Sequence, residues 1–450
     1  MPKMKNSSVV ASQLVFTCLA IAVGTGIARA QTPPASLGER PSLPGAVDLQ
    51  KPAKPTFDSD VDAPPPPSPR RRRGQPPVAQ PDQTPVPQWA LRAGITNALV
   101  FDDNIYARSV NKISDRIVVV RPDIGIDYKS QQYLATLNAA LENRNYLSNP
   151  HEDNLNWNTT YAATYLPRED IQIQTRLGAQ QGHEQRGTAD SQFFAFDNPI
   201  TYHQYDAALA LNKRFDGWWT STGGARSWIN YEEPTIGGVP VDQSYRNGAI
   251  SVLTGRLGKV VAPLTSAFVE VSGNQRDFKL DSFDSQGFRV VGGMLFEPGQ
   301  GARIRGEAFA GYMQQSYKSF INFSTWTYGG ALAFRIDPRT IFVVDGRREA
   351  KESALAGGVS VLESAANARI DYQLTEKFTV GAGVGYLNQL YKTLPNRVDT
   401  SWGPLLSAKY FLTPNVAFGI DYRYVGFSSD TTGVSSYARN TVLLSVSGRL

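Results

Sequence analysis

Apolar and polar residues alternate along most of the chain after residue 88, and the last segment shows the pattern most cleanly. Counting back by twos from the end, Leu450, Gly448, Val446, Leu444 and Val442 form one apolar or neutral row. Arg449, Ser447, Ser445 and Thr441 form the other, with Leu443 as its one apolar member. A period of two describes a strand with unlike faces. About 9–11 tilted residues suffice to cross a bilayer, so this strand is long enough to span one. In lipid, its unpaired backbone groups would each cost several kcal/mol, so it must belong to a closed barrel.

The same texture recurs upstream. Val416, Phe418, Ile420, Tyr422 and Tyr424 stand opposite Gly419, Asp421 and Arg423. Ile304, Ala308, Ala310 and Tyr312 stand opposite Arg303, Arg305 and Glu307, and Leu362, Ala366, Ala368, Ile370 and Tyr372 opposite Glu363, Asn367, Arg369 and Asp371. Ile171, Ile173 and Leu177 oppose Gln172, Gln174, Arg176 and Gln180. Eight short turn-like stretches, such as Asp337-Pro338-Arg339-Thr340 and Leu412-Thr413-Pro414-Asn415, recur about every 37–47 residues, the length of two spanning strands and a longer loop. They divide the region into nine hairpins and predict an all-β, antiparallel up-and-down barrel of about 18 strands. The segment Trp89–Val100 should close it against Val442–Leu450. Tyr128, Tyr312, Trp326, Tyr372, Trp402 and Tyr410 fall where interfacial girdles would sit.

The first 87 residues read differently. Lys3 and Lys5 precede an apolar run from about Val9 to Ile27, and Ala28-Arg29-Ala30 supplies a small-x-small cleavage site, so residues 1–30 read as a signal peptide. The only cysteine, Cys18, lies inside it, which leaves the mature chain without thiol chemistry or disulfides. Residues 31–87 are rich in proline and almost free of aromatics, a composition that cannot bury enough surface to order itself. They read as a disordered linker in the periplasm, and residues 88–450 as the barrel. Arg70-Arg71-Arg72-Arg73 is a solvated charge run, or a tether to anionic material such as lipid or a periplasmic partner.

Composition sharpens this. Charged residues make up 19% of the chain, aromatics 11%, and there are 39 glycines, a balance suited to strands with one polar and one lipid-facing side. The net charge of +5 belongs mostly to the tail, where residues 1–87 hold ten Lys/Arg against six Asp/Glu. A basic barrel for nucleic acid is therefore not indicated, and export makes that partner implausible.

Candidate chemistry lies on the polar rows. Arg121, Arg176, Arg289, Arg303, Arg305, Glu307, Arg335, Arg347, Arg369, Asp371, Lys409, Asp421 and Arg423 are the expected pore-lining residues. Lining water or paired across the wall such charges cost little, whereas a dry core would exclude them. Either they form ion pairs that stiffen the wall, or arginines in excess of pairing attract anions. Asp102-Asp103-Asn104 offers oxygen ligands for Ca²⁺, although Asx turn chemistry also explains the run. His151, His183 and His203 sit near predicted outer loops, and His183-Glu184 invites a rim hydrolase, but no serine stands at a recognisable spacing. No phosphate loop, zinc signature or dinucleotide fingerprint is present, so no cofactor, metal or catalytic residue is expected.

The opening of the barrel carries a resemblance. Val100-Phe101-Asp102-Asp103-Asn104-Ile105-Tyr106, then Ser114-Asp115-Arg116-Ile117 and Arg121-Pro122-Asp123-Ile124-Gly125-Ile126, resembles the start of the putative β-barrel porin 2 family. The resemblance implies a Gram-negative outer-membrane barrel, often associated with exopolysaccharide export. The family's usual aromatic C-terminal residue is Leu450 here, so Val442, Leu444, Val446 and Leu450 stand as the expected assembly signal. Expected partners are outer-membrane lipid and lipopolysaccharide, the assembly machinery, and anionic polysaccharide or export components. The expected function is a porin-like passive channel for polar or anionic solutes. A rival is a non-conducting barrel that anchors envelope or export machinery through its N-terminal tail.

Overall fold

Alternation dictates strands, and the strands close on themselves. The computed structural model describes residues 87–187, 196–297, 302–353, 360–392, 397–431 and 434–450. The expected signal peptide, the linker up to Val86 and Arg70 to Arg73 lie outside these residues. In chain order the strands are β1 (Gln88–Asp102), β2 (Asp115–Lys129), β3 (Tyr133–Tyr146), β4 (Asn154–Arg168), β5 (Ile171–His183), β6 (Thr201–Phe215), β7 (Trp218–Tyr231), β8 (Thr235–Ile236), β9 (Val239–Pro240) and β10 (Gly248–Ala262). They continue as β11 (Thr265–Phe278), β12 (Ser285–Phe296), β13 (Ile304–Tyr317), β14 (Phe323–Asp337), β15 (Thr340–Glu352), β16 (Ser360–Thr375), β17 (Phe378–Tyr391), β18 (Arg397–Thr413), β19 (Val416–Ser429) and β20 (Tyr437–Arg449).

Eighteen of these strands form one sheet, while β8 and β9 make a small ribbon inside the loop between β7 and β10. Each long strand pairs antiparallel with its neighbour in sequence, and β20 returns to β1 from Gly94 opposite Arg449 to Asp102 opposite Thr441. That last pairing removes the free edges, which lipid would not tolerate. The 18-strand antiparallel barrel expected from the turn spacing is the observed fold.

One end of the barrel carries tight two- and three-residue connections, among them Asp216-Gly217, where Gly217 takes φ +68°. The other end carries the longer loops, including residues 103–114, 184–200 and 232–247. Strands of 13 to 16 residues, as β5 and β16 are, outrun the bilayer and project into the outer loops. The outer wall presents Leu91, Ile95, Leu253, Val269, Val271, Ile420, Leu444 and Val446, all substantially exposed on the isolated barrel. Tyr372 and Tyr410 lie exposed near the tight-turn end, and Tyr128 lies tilted against Trp89 with ring centroids 4.6 Å apart. Toward the opposite end Tyr312 meets Trp326, 72% exposed, edge to face. These two levels fit aromatic girdles on either side of a lipid band.

Candidate functional site

Register decides which side chains share the lumen. Arg92 and Asp127, an ion pair at 2.7 Å, fix even positions of β1 and odd positions of β2 on the inner face. Carrying the pairing round the wall keeps one parity per strand. Arg121 lies opposite Thr96, Arg176 opposite Ala162 and Ala208, and Arg289 opposite Ser272 and Met313. Arg305 and Glu307 lie opposite Ala333 and Ala331, Arg335 opposite Ile341, and Arg347 opposite Gly329. Arg369 and Asp371 face Gly383 and Gly381, and a Cβ on Gly381 would fall 2.5 Å from an Asp371 oxygen, so glycine makes the room these charges use. Lys409 lies opposite Thr379, while Asp421 and Arg423 lie opposite Ser407 and Leu405. Arg303 stands apart, in the bend before β13, where its carbonyl accepts the Arg335 amide at 2.8 Å.

Many of the inner charges are paired. Arg121 and Arg144 share Glu142 at 2.7 Å each. Arg369 meets Asp371 at 2.7 Å. Arg347 and Lys351 converge on Glu363 at 3.0 and 2.7 Å, and Gln389 donates to its second oxygen. The densest group is centred on Arg256, whose side chain is 2% exposed and lies between Glu270 at 2.5 Å and Glu307 at 2.9 Å. Arg289 takes the other Glu270 oxygen at 2.5 Å, and Phe268 lies under the Arg256 guanidinium. Ion pairs this deep hold because each charge is compensated; loss of one partner leaves a buried charge. Arg176 differs: it is exposed, with no ion-pair partner among the described residues.

Toward the outer end the lumen fills. After β5 the Gly187 carbonyl accepts the Tyr437 hydroxyl, which belongs to β20. Arg186 grips Glu152 of the loop between β3 and β4 at 2.7 Å, and Arg246 of the loop after β7 pairs with Glu184. Burial opposes the charge on Arg246, but Glu184 and Tyr231 outweigh it and hold the guanidinium protonated. Tyr106 sits near the guanidinium groups of Arg108 and Arg186, and burial together with Glu152 pushes its hydroxyl up. Asp197 accepts the amides of Gly238 and Gly237 and the Thr235 hydroxyl, which hold its carboxyl below the usual range.

A second device narrows the outer lumen. Pairing of β14 with β15 runs from Asp337 opposite Thr340 only to Gly329 opposite Arg347, whereas β15 stays with β16 as far as Glu352 opposite Ser360. Beyond that point β15 and β16 leave the wall and lean inward across β14. Thr327 on the inner face donates to the Arg348 carbonyl at 2.7 Å, and Arg276 of β11 donates to the Ala350 carbonyl at 3.0 Å. Ala350 and Leu362, on the parity that faces lipid elsewhere, pack instead against Met313, Tyr317 and Phe323 on the inner faces of β13 and β14. A further apolar cluster is formed by Val361, Tyr391, Phe427 and Val434.

The acidic run Asp102-Asp103-Asn104 fastens the closing seam. Asp102 pairs with Arg439, Asp103 accepts the Asn440 side-chain amide at 2.7 Å, and Asn104 donates to the Ala438 carbonyl at 3.0 Å. All three partners belong to β20, 334 to 337 positions away. His183 lies 2.9 Å from the Asn156 side-chain oxygen and His203 2.9 Å from Glu232. His151 belongs to the short helical turn Pro150–Glu152. Val442, Leu444 and Val446 share the outer face of β20, and Leu450 extends past it, 95% exposed. Leu443, the exception on the polar row, packs with Ala98, Val100, Ile117 and Val119 inside the barrel.

Arg256, Glu270, Arg276, Arg397, Asp399 and Arg439 also stand on the inner face, outside the set that alternation marks. The row that carries Arg256 also carries Ile250 and Val252, both buried, so it does not read as a polar face. Arg397 and Asp399, paired at 2.5 Å, are a charged i, i+2 doublet at a strand start, the kind of signal that could have found them.

Residues 80–450 match the family described as Putative beta-barrel porin 2. Among solved structures, OccK1 (OpdK) of Pseudomonas aeruginosa superposes with a TM-score of 0.42 at 9% identity, over 80% of this chain and 99% of that one. OccAB4 of Acinetobacter baumannii gives 0.43 at 9% identity, over 82% and 100%. The loop L8 deletion mutant of OmpT of Vibrio cholerae gives 0.34 at 12%, over 81% and 99%. Likeness at that level is of the barrel alone. No curated protein matches the sequence. The match runs through the whole closed barrel and includes the Asp102 to Asn104 seam, and the chain belongs to the Putative beta-barrel porin 2 family, as an outer-membrane barrel of the porin kind.

Proposed function

We propose that the barrel passes small polar solutes by diffusion, with a modest preference for anions. The carrying observation is Arg176, exposed on the inner face with no ion-pair partner among the described residues. Lys and Arg also outnumber Asp and Glu on that face among the described residues. A water-filled lumen with a cation excess raises the local anion concentration, and low-dielectric walls focus that field. The field is screened within about 8 Å at physiological salt, so the preference should weaken as ionic strength rises. Because the outer end is narrowed by loops and by the leaning β15–β16 hairpin, small solutes fit the reading better than a polysaccharide in export. Transport, rather than catalysis at His183, is the reading.

Proteoliposomes containing the full chain test it. Influx of a small monocarboxylate should exceed that of a neutral sugar of equal size, and Arg176→Glu should remove the difference. Equal influx of both, unaffected by Arg176→Glu, would contradict it. The packing of the outer end also favours a second reading, a non-conducting barrel that anchors machinery through its tail. Deleting residues 31–87 leaves flux intact under the first reading and abolishes partner capture under the second.

A further inference from the structure

The outer wall carries a groove that the channel does not use. On the strand tips from β7 to β13, outward-facing residues pair in a ladder: Arg226 opposite Ser251, Ser251 opposite Gln275, and Gln275 opposite Gln286. One rung nearer the membrane, Leu253 pairs with Gly273, Gly273 with Phe288, and Phe288 with Gln314. Ser251, Leu253, Gln275, Gln286, Phe288 and Gln314 line a groove of about 620 Å³, and Arg226 stands at its edge, bonded to Ser251. Gly273 leaves its floor open, for a Cβ there would meet nothing closer than a carbonyl at 3.9 Å. Leu253 is 68% exposed and Phe288 46% exposed, so the lower rung is apolar while the upper one is polar.

Height and charge define what fits. The next outward rung down pairs Val290 with Tyr312 and Tyr312 with Trp326, the outer girdle. Gln275 lies three residues from the outer end of β11, and Gln286 is the second residue of β12, so the polar rung stands just outside the girdle. Arg226 is exposed, donates one hydrogen bond to the Ser251 hydroxyl at 3.2 Å, lies 5.4 Å from the Trp228 ring centre, and has no carboxylate partner among the described residues. Asp277, one rung further out, is occupied by the Gln275 amide at 2.9 Å. An unpaired arginine on an outer wall is cheap only near the membrane surface, where anionic groups can meet it.

We propose that this groove binds the phosphorylated sugar head of an outer-leaflet glycolipid. Arg226 takes a phosphate, the glutamine amides and Ser251 take sugar hydroxyls, and acyl chains run down over Leu253 and Phe288. The site is independent of conduction through the lumen. The test uses the full chain in detergent and bisphosphorylated lipid A as probe. Wild-type protein should show a saturable rise in thermal midpoint, far smaller with the dephosphorylated glycolipid. Loss of one charge-assisted contact in Arg226→Gln should weaken apparent affinity by about ten-fold. Gly273→Phe, which fills the floor from outside the fold, should abolish the shift. No saturable shift in the wild type, or equal shifts in both variants, would overturn the proposal. So would oligomers that both variants break into monomers, since a second copy would then own the groove.

Discussion

Arg256 shows how a single residue sets the terms of the inner wall. Its charge is held by Glu270 and Glu307 where water scarcely reaches, so Arg256→Met takes a buried cation from both carboxylates and leaves Glu270 to Arg289. We predict a loss of about 3–5 kcal/mol, read from urea unfolding in lipid vesicles, with most of it recovered in the triple variant that adds Glu270→Gln and Glu307→Gln. The exposed loop carboxylate Asp197 behaves differently. Its hydrogen bonds from Gly238, Thr235 and Gly237 depress the folded value, so the tie is intact at neutral pH and is lost as pH falls through that depressed value. Hydrogen exchange at Gly237 and Gly238 should therefore quicken only in acid below the ordinary carboxylate range, and Asp197→Asn should exchange with no such step. At this scale the sequence is legible where charged and polar residues stand at successive positions of a row, as with Asn367, Arg369 and Asp371. It is not legible where charged and apolar side chains share one inner row, as with Ile250, Val252 and Arg256, because alternation records face and not surroundings.

At the scale of elements, the spacing of the tight turns reveals the strand number, since each turn must recur after two membrane crossings and a loop. The leaning of β15 and β16 has no such signature. Ala350 and Leu362 are apolar at positions that would face lipid in a regular wall, and an inner apolar surface of β13 and β14 accepts them equally well. Glycines mark the departure instead. Gly330 takes φ +139°, and a Cβ there would lie 2.2 Å from the Glu307 carbonyl oxygen. Gly330→Ala strains the backbone and should cost about 1–3 kcal/mol, visible as a smaller fraction of compact, heat-modifiable barrel on unheated gels.

For the whole molecule, the outer end decides whether the lumen is a path. Arg276 holds the leaning hairpin by the Ala350 carbonyl from across the inner wall, so Arg276→Ala should loosen it and raise single-channel conductance. A barrel in which the hairpin does not restrict flow would conduct alike with and without that arginine. The seam at Asp102, Asp103 and Asn104 joins residues that are hundreds of positions apart, which explains why no local spacing announced its role. Whether the lumen is a path is read from the conductance of the refolded protein in a planar bilayer, with reversal potentials across a KCl gradient. A diffusive, cation-lined lumen gives discrete open steps with a modest anion preference that fades at high salt and reverses or vanishes in Arg176→Glu. Verified folded barrels that give no steps, or steps with cation preference unchanged by Arg176→Glu, would contradict it.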